Sequence, residues 1–112
     1  MTNSAKSKGD AAERAIAALL SAELGVDVVR KLGAGRAEDT GDLYGLEDTV
    51  GQVAWWPHNP LRAVREKPDQ CVAQQLNAGA TFGVSFIRLH GGVWRAVLTI
   101  PQWATYYREV TR

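Results

Sequence analysis

Asp42 and Gln52 are the residues whose types and spacing point to chemistry in this chain. The stretch around them, residues 41–56, reads GDLYGLEDTVGQVAWW. Asp42 enters a short apolar strand, and Gln52 is a polar residue inside a second apolar run, Thr49 to Trp56. A buried polar side chain costs free energy unless a partner satisfies it. On neighbouring strands these two would present oxygen ligands at one edge of a sheet. Oxygen ligands of this kind suit a hard divalent cation such as magnesium.

The elements that must hold this edge can be read from periodicity. Residues 1–8 are polar and basic and read as a flexible arm whose Lys6 and Lys8 can reach a phosphate backbone. Gly9 to Leu24 reads as a helix with Asp10 at its start and Gly25 after its end. Ala12, Ala15, Ile16, Leu19, Leu20 and Leu24 recur at the spacing of one buried face, with Glu13 and Arg14 one turn in. For Glu13 alone the plain account is a solvated first-turn acid favoured by the helix dipole. Val26 to Lys31 reads as a strand, and the glycine-punctuated loop after it carries Arg36, Glu38 and Asp39.

Asp42–Leu46 and Thr49–Trp56 are expected to pair antiparallel through a turn at Glu47 and Asp48. Leu61 to Ala78 is helical in character but interrupted at Pro68. The helix proper is placed at Asp69–Asn77, with Val72, Ala73 and Leu76 as its buried face. Thr81–Leu89 and Val93–Ile100 read as strands around a His90-Gly91-Gly92 turn. Pro101 opens a last helix with an aromatic face of Trp103, Tyr106 and Tyr107. The order α-β-β-β-α-β-β-α implies an α/β fold, a single domain over residues 9–112 with a central mixed β-sheet flanked by helices.

Composition sets the outer bounds. The chain has 112 residues, enough for one domain. With 46% hydrophobic and 22% charged residues it has a globular balance, and a net charge of +1 gives no field that demands a polyanion. A nucleic-acid partner must therefore be read from local basic residues. The single cysteine, Cys71, forms no intrachain disulfide and fits a reducing compartment. No apolar run approaches the roughly 20 residues of a membrane span. The expected location is the cytoplasm of a bacterial cell or an infected host.

Glu13-Arg14 on the first helix, Gly41-Asp42 opening one strand and Gln52-Val53-Ala54 on the next resemble the PD-(D/E)XK nuclease superfamily. Within it, the chain is most similar to the Holliday junction resolvases of archaea and phages, over nearly its whole length. The resemblance implies a restriction-endonuclease-like fold. It implies a metal-dependent endodeoxyribonuclease hydrolysing phosphodiesters in branched DNA, working with Mg²⁺ or Mn²⁺ as a homodimer. Glu13 matches the helix glutamate, Asp42 the central metal ligand, Gln52 the motif acid, and the Val53 carbonyl a backbone ligand. Ala54 stands where the motif has lysine. That lysine orients water and stabilises charge in the transition state, and losing such a group costs roughly two to three orders of magnitude in rate.

Three accounts of Ala54 stand open: an engineered inactive form, a basic residue supplied from elsewhere with Lys67 and Arg65 as candidates, or a natural non-catalytic DNA-binding protein. Lys8, Arg14, Arg30, Lys31 and Arg36 are the candidate DNA-binding residues, each otherwise a surface charge. Trp55 and Trp56 point to opposite faces of their strand, one as core and the other able to stack on a base. His58 and His90 read as loop histidines and Cys71 as a small core residue. Gln74 and Gln75 either support the site or face solvent.

Overall fold

The structure, a computed structural model, describes residues 4–32 and 39–112. In chain order it contains α1 (Ser4–Leu24), β1 (Val29–Arg30), β2 (Leu43–Tyr44), β3 (Thr49–Ala54), α2 (Pro60–Ala78), β4 (Phe82–Leu89), β5 (Val93–Val97) and α3 (Ile100–Val110). A 3₁₀ turn at His90–Gly92 joins β4 to β5. This is the expected order of elements, and the architecture is α/β with a mixed sheet flanked by helices. β3 and β4 run parallel, from Thr49 opposite Phe82 to Ala54 opposite Ile87, with α2 as the crossover. β5 returns antiparallel on β4, from Ser85 opposite Val97 to Leu89 opposite Val93. β4 is the middle strand, and its Gly83–Ile87 stretch is buried on both faces, as expected of a strand covered on both sides.

The pairing of β2 differs from expectation. β2 forms its antiparallel ladder with β1, Val29 opposite Tyr44 and Arg30 opposite Leu43, not with β3. It joins β3 through Asp42, whose backbone N–H donates to the Gly51 carbonyl at 2.8 Å. Asp48 at φ 50° turns the chain between β2 and β3. Its Oδ1 accepts from the Thr81 N–H at 3.0 Å, which ties this turn to the start of β4.

Several element bounds also move. α1 starts at Ser4, so Ser4–Lys8 belong to the helix rather than to a flexible arm, and Asp10 lies inside it. On α1 the buried side chains are Ala12, Ile16 and Ala17 with Leu20 half-buried, whereas Ala15, Leu19 and Leu24 are exposed. α2 is continuous through Pro68. Both its ends are well formed: Asn59 Oδ1 caps the Arg62 N–H at 3.1 Å, and Gly79 closes in the left-handed region at φ 64°. These caps and the burial of Pro68 outweigh the lost backbone donor.

The face of α2 is rotated from the one expected. Val72 and Leu76 look outward, Leu76 being 81% exposed, while Ala63, Pro68, Cys71 and Gln74 face the sheet. Small side chains at 63 and 71 let the helix lie close on β3 and β4. Two apolar clusters result, one on each side of the sheet. Ala12, Ile16, Ala17, Val28, Leu43, Val53, Val84 and Phe86 fill the α1 side. Ala54, Ala63 and Ile87 pack on the α2 side, with Trp56, Val64, Leu89 and Val97 around them. α3 begins with a capping box between Thr99 and Gln102. Among the described residues no helix is long and apolar enough to cross a membrane.

Candidate active site at the β2–β3 edge

Asp42 is fixed by its own backbone before its side chain does anything. Its N–H donates to Gly51, and its carbonyl accepts from the Lys31 N–H at 2.8 Å. Its Oδ2 accepts from the Val53 N–H at 2.8 Å, so the carboxylate takes the place that a further residue of β2 would have held beside β3. Gly41 makes this turn possible. It sits at φ 98°, and a Cβ there would stand 2.7 Å from Val50 Cγ1. Asp42 and Val53 are thereby brought together, through the Val53 N–H rather than the carbonyl singled out in the sequence.

Glu13 approaches from α1. Arg30 bridges it to Asp10, with Nη1 2.9 Å from Asp10 and 3.3 Å from Glu13. Burial raises the Glu13 carboxyl above its usual range, and the Asp42 charge raises it further against the pull of Arg30. Glu13 and Asp42 thus share one electrostatic neighbourhood. The helix acid is not the freely solvated first-turn residue of the plain account.

Gln52 turns to the other side of β3, toward α2. It is 3% exposed, and its Nε2 donates to Gln70 Oε1 at 3.2 Å. Its Oε1 is buried without a hydrogen-bond partner, as is the Ser85 hydroxyl on the facing β4 residue. Lys67 Nζ donates to the same Gln70 Oε1 at 3.3 Å, which sets an ammonium one amide away from Gln52. Gln74 is buried too and donates to Asp39 Oδ2 at 2.8 Å. Gln75 pairs with Gln102 at 2.7 Å, in space that a side chain at Gly83 would fill. Gln74 therefore reaches the loop before Asp42, while Gln75 serves the α2–α3 contact.

Ala54 is 4% exposed and packed on the fully buried Ala63 and on Ile87. A longer side chain at position 54 would have to displace this packing. Of the two substitutes, Lys67 faces the sheet edge and Arg65 is exposed. Gln70 was not singled out by the sequence. Its signal is the polar spacing Lys67, Gln70, Gln74, masked by the neighbouring Val72 and Leu76.

The donor set beside Asp42 contains two carboxylates and the Val53 carbonyl, and the expected Gln52 oxygen is not part of it because that side chain turns toward α2. Among the described residues no three of His, Cys, Asp and Glu converge as a metal-binding group. One or two carboxylates with water completing the shell is the usual way a protein holds Mg²⁺, so the set fits a single hard cation. The raised Glu13 carboxyl is a feature that a cation beside Asp42 would relieve.

The candidate DNA-binding residues separate into groups. Arg14 is exposed on α1. Arg30 is committed to Asp10 and Glu13, and Lys31 Nζ donates to both oxygens of Thr40 at 2.8 Å. Lys8 lies apart from these, 5.9 Å from the centre of the Trp55 ring. Arg36 lies outside the described residues. His58 and His90 are exposed. Cys71 is a fully buried free thiol whose ionisation burial pushes up, so it is packing and not chemistry. Trp55 and Trp56 pack on opposite sides of the sheet, both only partly buried. No family model, no curated protein and no solved structure matches this chain.

Proposed function

We propose that the chain is a metal-dependent endodeoxyribonuclease of the PD-(D/E)XK type, acting on branched DNA such as Holliday junctions. The observation that carries this reading is the Asp42 carboxylate locked on the Val53 N–H, with Glu13 within its field. The order of elements, with a parallel β3–β4 pair bridged by α2, supports a restriction-endonuclease-like fold. Asp42, Glu13 and the Val53 carbonyl would hold Mg²⁺ or Mn²⁺, and Gln52, turned toward α2, would stand outside this set. When bound, the ion neutralises the scissile phosphate and makes a water acidic enough to attack it. Asp42 orients the site through its fixed carboxylate. Lys67 takes the role of the missing strand lysine, since its ammonium reaches the Gln52–Gln70 pair and position 54 is closed by packing.

A second reading is a non-catalytic protein that binds branched DNA. The ion pairing of Glu13 by Arg30 and the alanine at position 54 favour it. One experiment separates the two. The protein is incubated with four-way junction, flap, linear duplex and single-stranded DNA, with and without Mg²⁺ or Mn²⁺, beside Asp42→Asn, Lys67→Met and Ala54→Lys. Metal-dependent cutting of the junction, reduced roughly 100-fold or more by Asp42→Asn and by Lys67→Met, is expected. If Ala54→Lys alone cuts, the strand position is the native one and Lys67 is not its substitute. Tight binding with no cutting by any form would leave the non-catalytic reading.

A further inference from the structure

At the end of β3 the chain presents two tryptophans beneath four cations. Arg88 Cζ lies 4.2 Å from the centre of the Trp55 ring and Lys8 Nζ 5.9 Å from it. Lys67 Nζ and Arg62 Cζ lie 5.0 and 5.6 Å from the centre of the Trp56 ring. Lys8, Trp55, Trp56, Pro57, His58 and Arg62 line an open cleft of about 670 Å³ between the start of α1 and the start of α2.

The positive charge here is poorly compensated. Arg62 pairs with Glu66 at 2.6 Å, but among the described residues no carboxylate pairs with Lys8, Lys67 or Arg88. Arg88 is the sharpest case. It stands at the end of an otherwise apolar strand, and its Nε is buried without a hydrogen-bond partner. A buried donor with no acceptor is costly, and the positive charge of Arg88 behind the Trp55 ring adds to the field of the cleft.

Two properties therefore meet in one cleft: anion-binding groups, and flat aromatic walls with their edges in solvent. A ligand that matches both carries a phosphate joined to a planar ring. A nucleotide in a duplex hides its base faces in the stack, whereas an unpaired one can lay its base on an aromatic side chain. We propose that the Trp55–Trp56 cleft binds an unpaired nucleotide of a single strand, with the base on the tryptophan wall and the phosphates held by Lys8 and Arg62, while Arg88 backs the Trp55 ring. The mobile ammonium of Lys8, which is exposed, yields its place over the Trp55 ring to the base. This site uses none of Asp42, Glu13 and Gln52, and it stands whether or not the metal edge cleaves DNA.

The test is titration of a short oligothymidylate into the intact chain in EDTA, read by quenching of tryptophan emission. The comparison probes are an abasic strand of the same length, a duplex of the same length and inorganic polyphosphate. Saturable quenching is expected with oligothymidylate. Binding of the abasic strand should be about tenfold weaker or worse, as the loss of base stacking implies. Lys8→Gln and Arg62→Gln should each weaken oligothymidylate binding several-fold and flatten its salt dependence. Arg108→Gln, which removes a cation on α3, should leave it unchanged. Trp55→Phe keeps a stacking face and should bind while losing part of the quench. Equal binding of abasic strand or polyphosphate would remove the base from the proposal. Tighter binding of duplex without quenching would overturn it, as would unchanged binding by Lys8→Gln and Arg62→Gln, two exposed residues whose variants keep the fold intact. Because EDTA suppresses any cleavage, failure here leaves the nuclease reading to its own assay.

Discussion

Glu13 shows how a proposed ligand position conflicts with stability. Its carboxyl is raised by burial and by Asp42, so the folded state holds a proton there more firmly than the unfolded chain does. The sign follows from that. Stability linked to Glu13 is fully present below the unfolded value of 4.5 and is lost as pH rises through the higher folded value. Glu13→Gln removes the ionisation while keeping an oxygen for Arg30. Its melting temperature should exceed that of the parent at pH 7, by a few degrees for a gain on the order of 1 kcal/mol, and the gain should shrink toward pH 4. Adding Mg²⁺ should raise the parent and not the variant if the carboxylate is a ligand. A thermal melt at the two pH values, with and without metal, decides this. At this scale the sequence displayed Asp42, Glu13 and Gln52 by type and spacing. It could not display that Gln52 faces α2 and Glu13 arrives from α1, because the side taken by each depends on how β3 is rotated between the helices. Gln70 and Arg88 were hidden for a related reason: each looks like a surface polar group until its neighbours are known.

Elements were legible in order but not in extent. Gly25, Gly79 and Pro101 lie at or beside helix boundaries in the structure, because end signals act locally and are written in a few residues. Pro68 misled for the opposite reason. Its local cost is set against caps and packing that lie well away in sequence, and those prevail. The apolar pair Val72 and Leu76 suggested a buried face, yet close approach of α2 to the sheet requires the smaller Ala63 and Cys71. Two glycines give a paired test of element stability. Gly41 has positive φ and no room for a Cβ, so Gly41→Ala should cost about 2–4 kcal/mol and displace Asp42. Gly9 lies inside α1 with open space around it, so Gly9→Ala should add about 0.5–1 kcal/mol. Urea unfolding of both variants checks the pair. Equal effects would mean that the turn before Asp42 does not have the conformation described here.

At the scale of the whole molecule, an apolar region around α3 stands open among the described residues. Trp103 and Tyr107 stack on each other at 5.2 Å between centroids, and each is 54% exposed. Only Tyr106 of this aromatic face turns inward, where it stacks on Phe82 at 4.8 Å. Beside them Leu20, Leu24, Leu46, Leu98 and Trp103 line a groove of about 480 Å³. A patch of this kind on a small domain marks an interface more often than a solvated surface. An enzyme that cuts opposite strands of a junction needs two sites related by a two-fold axis, and a self-complementary patch supplies one. We therefore propose that α3 and this groove form a homodimer contact. Light scattering during gel filtration should give a dimer rather than the 12.2 kDa of a single chain. Trp103→Glu with Tyr107→Glu should return the protein to a monomer without lowering its helix content, since both side chains already face outward. If the proposed nuclease reading holds, that monomer should lose paired cuts on a four-way junction while keeping single nicks, because Asp42, Glu13 and Val53 all come from one chain. A parent that stays monomeric at high concentration would remove the dimer, and the aromatic face would then need a different partner.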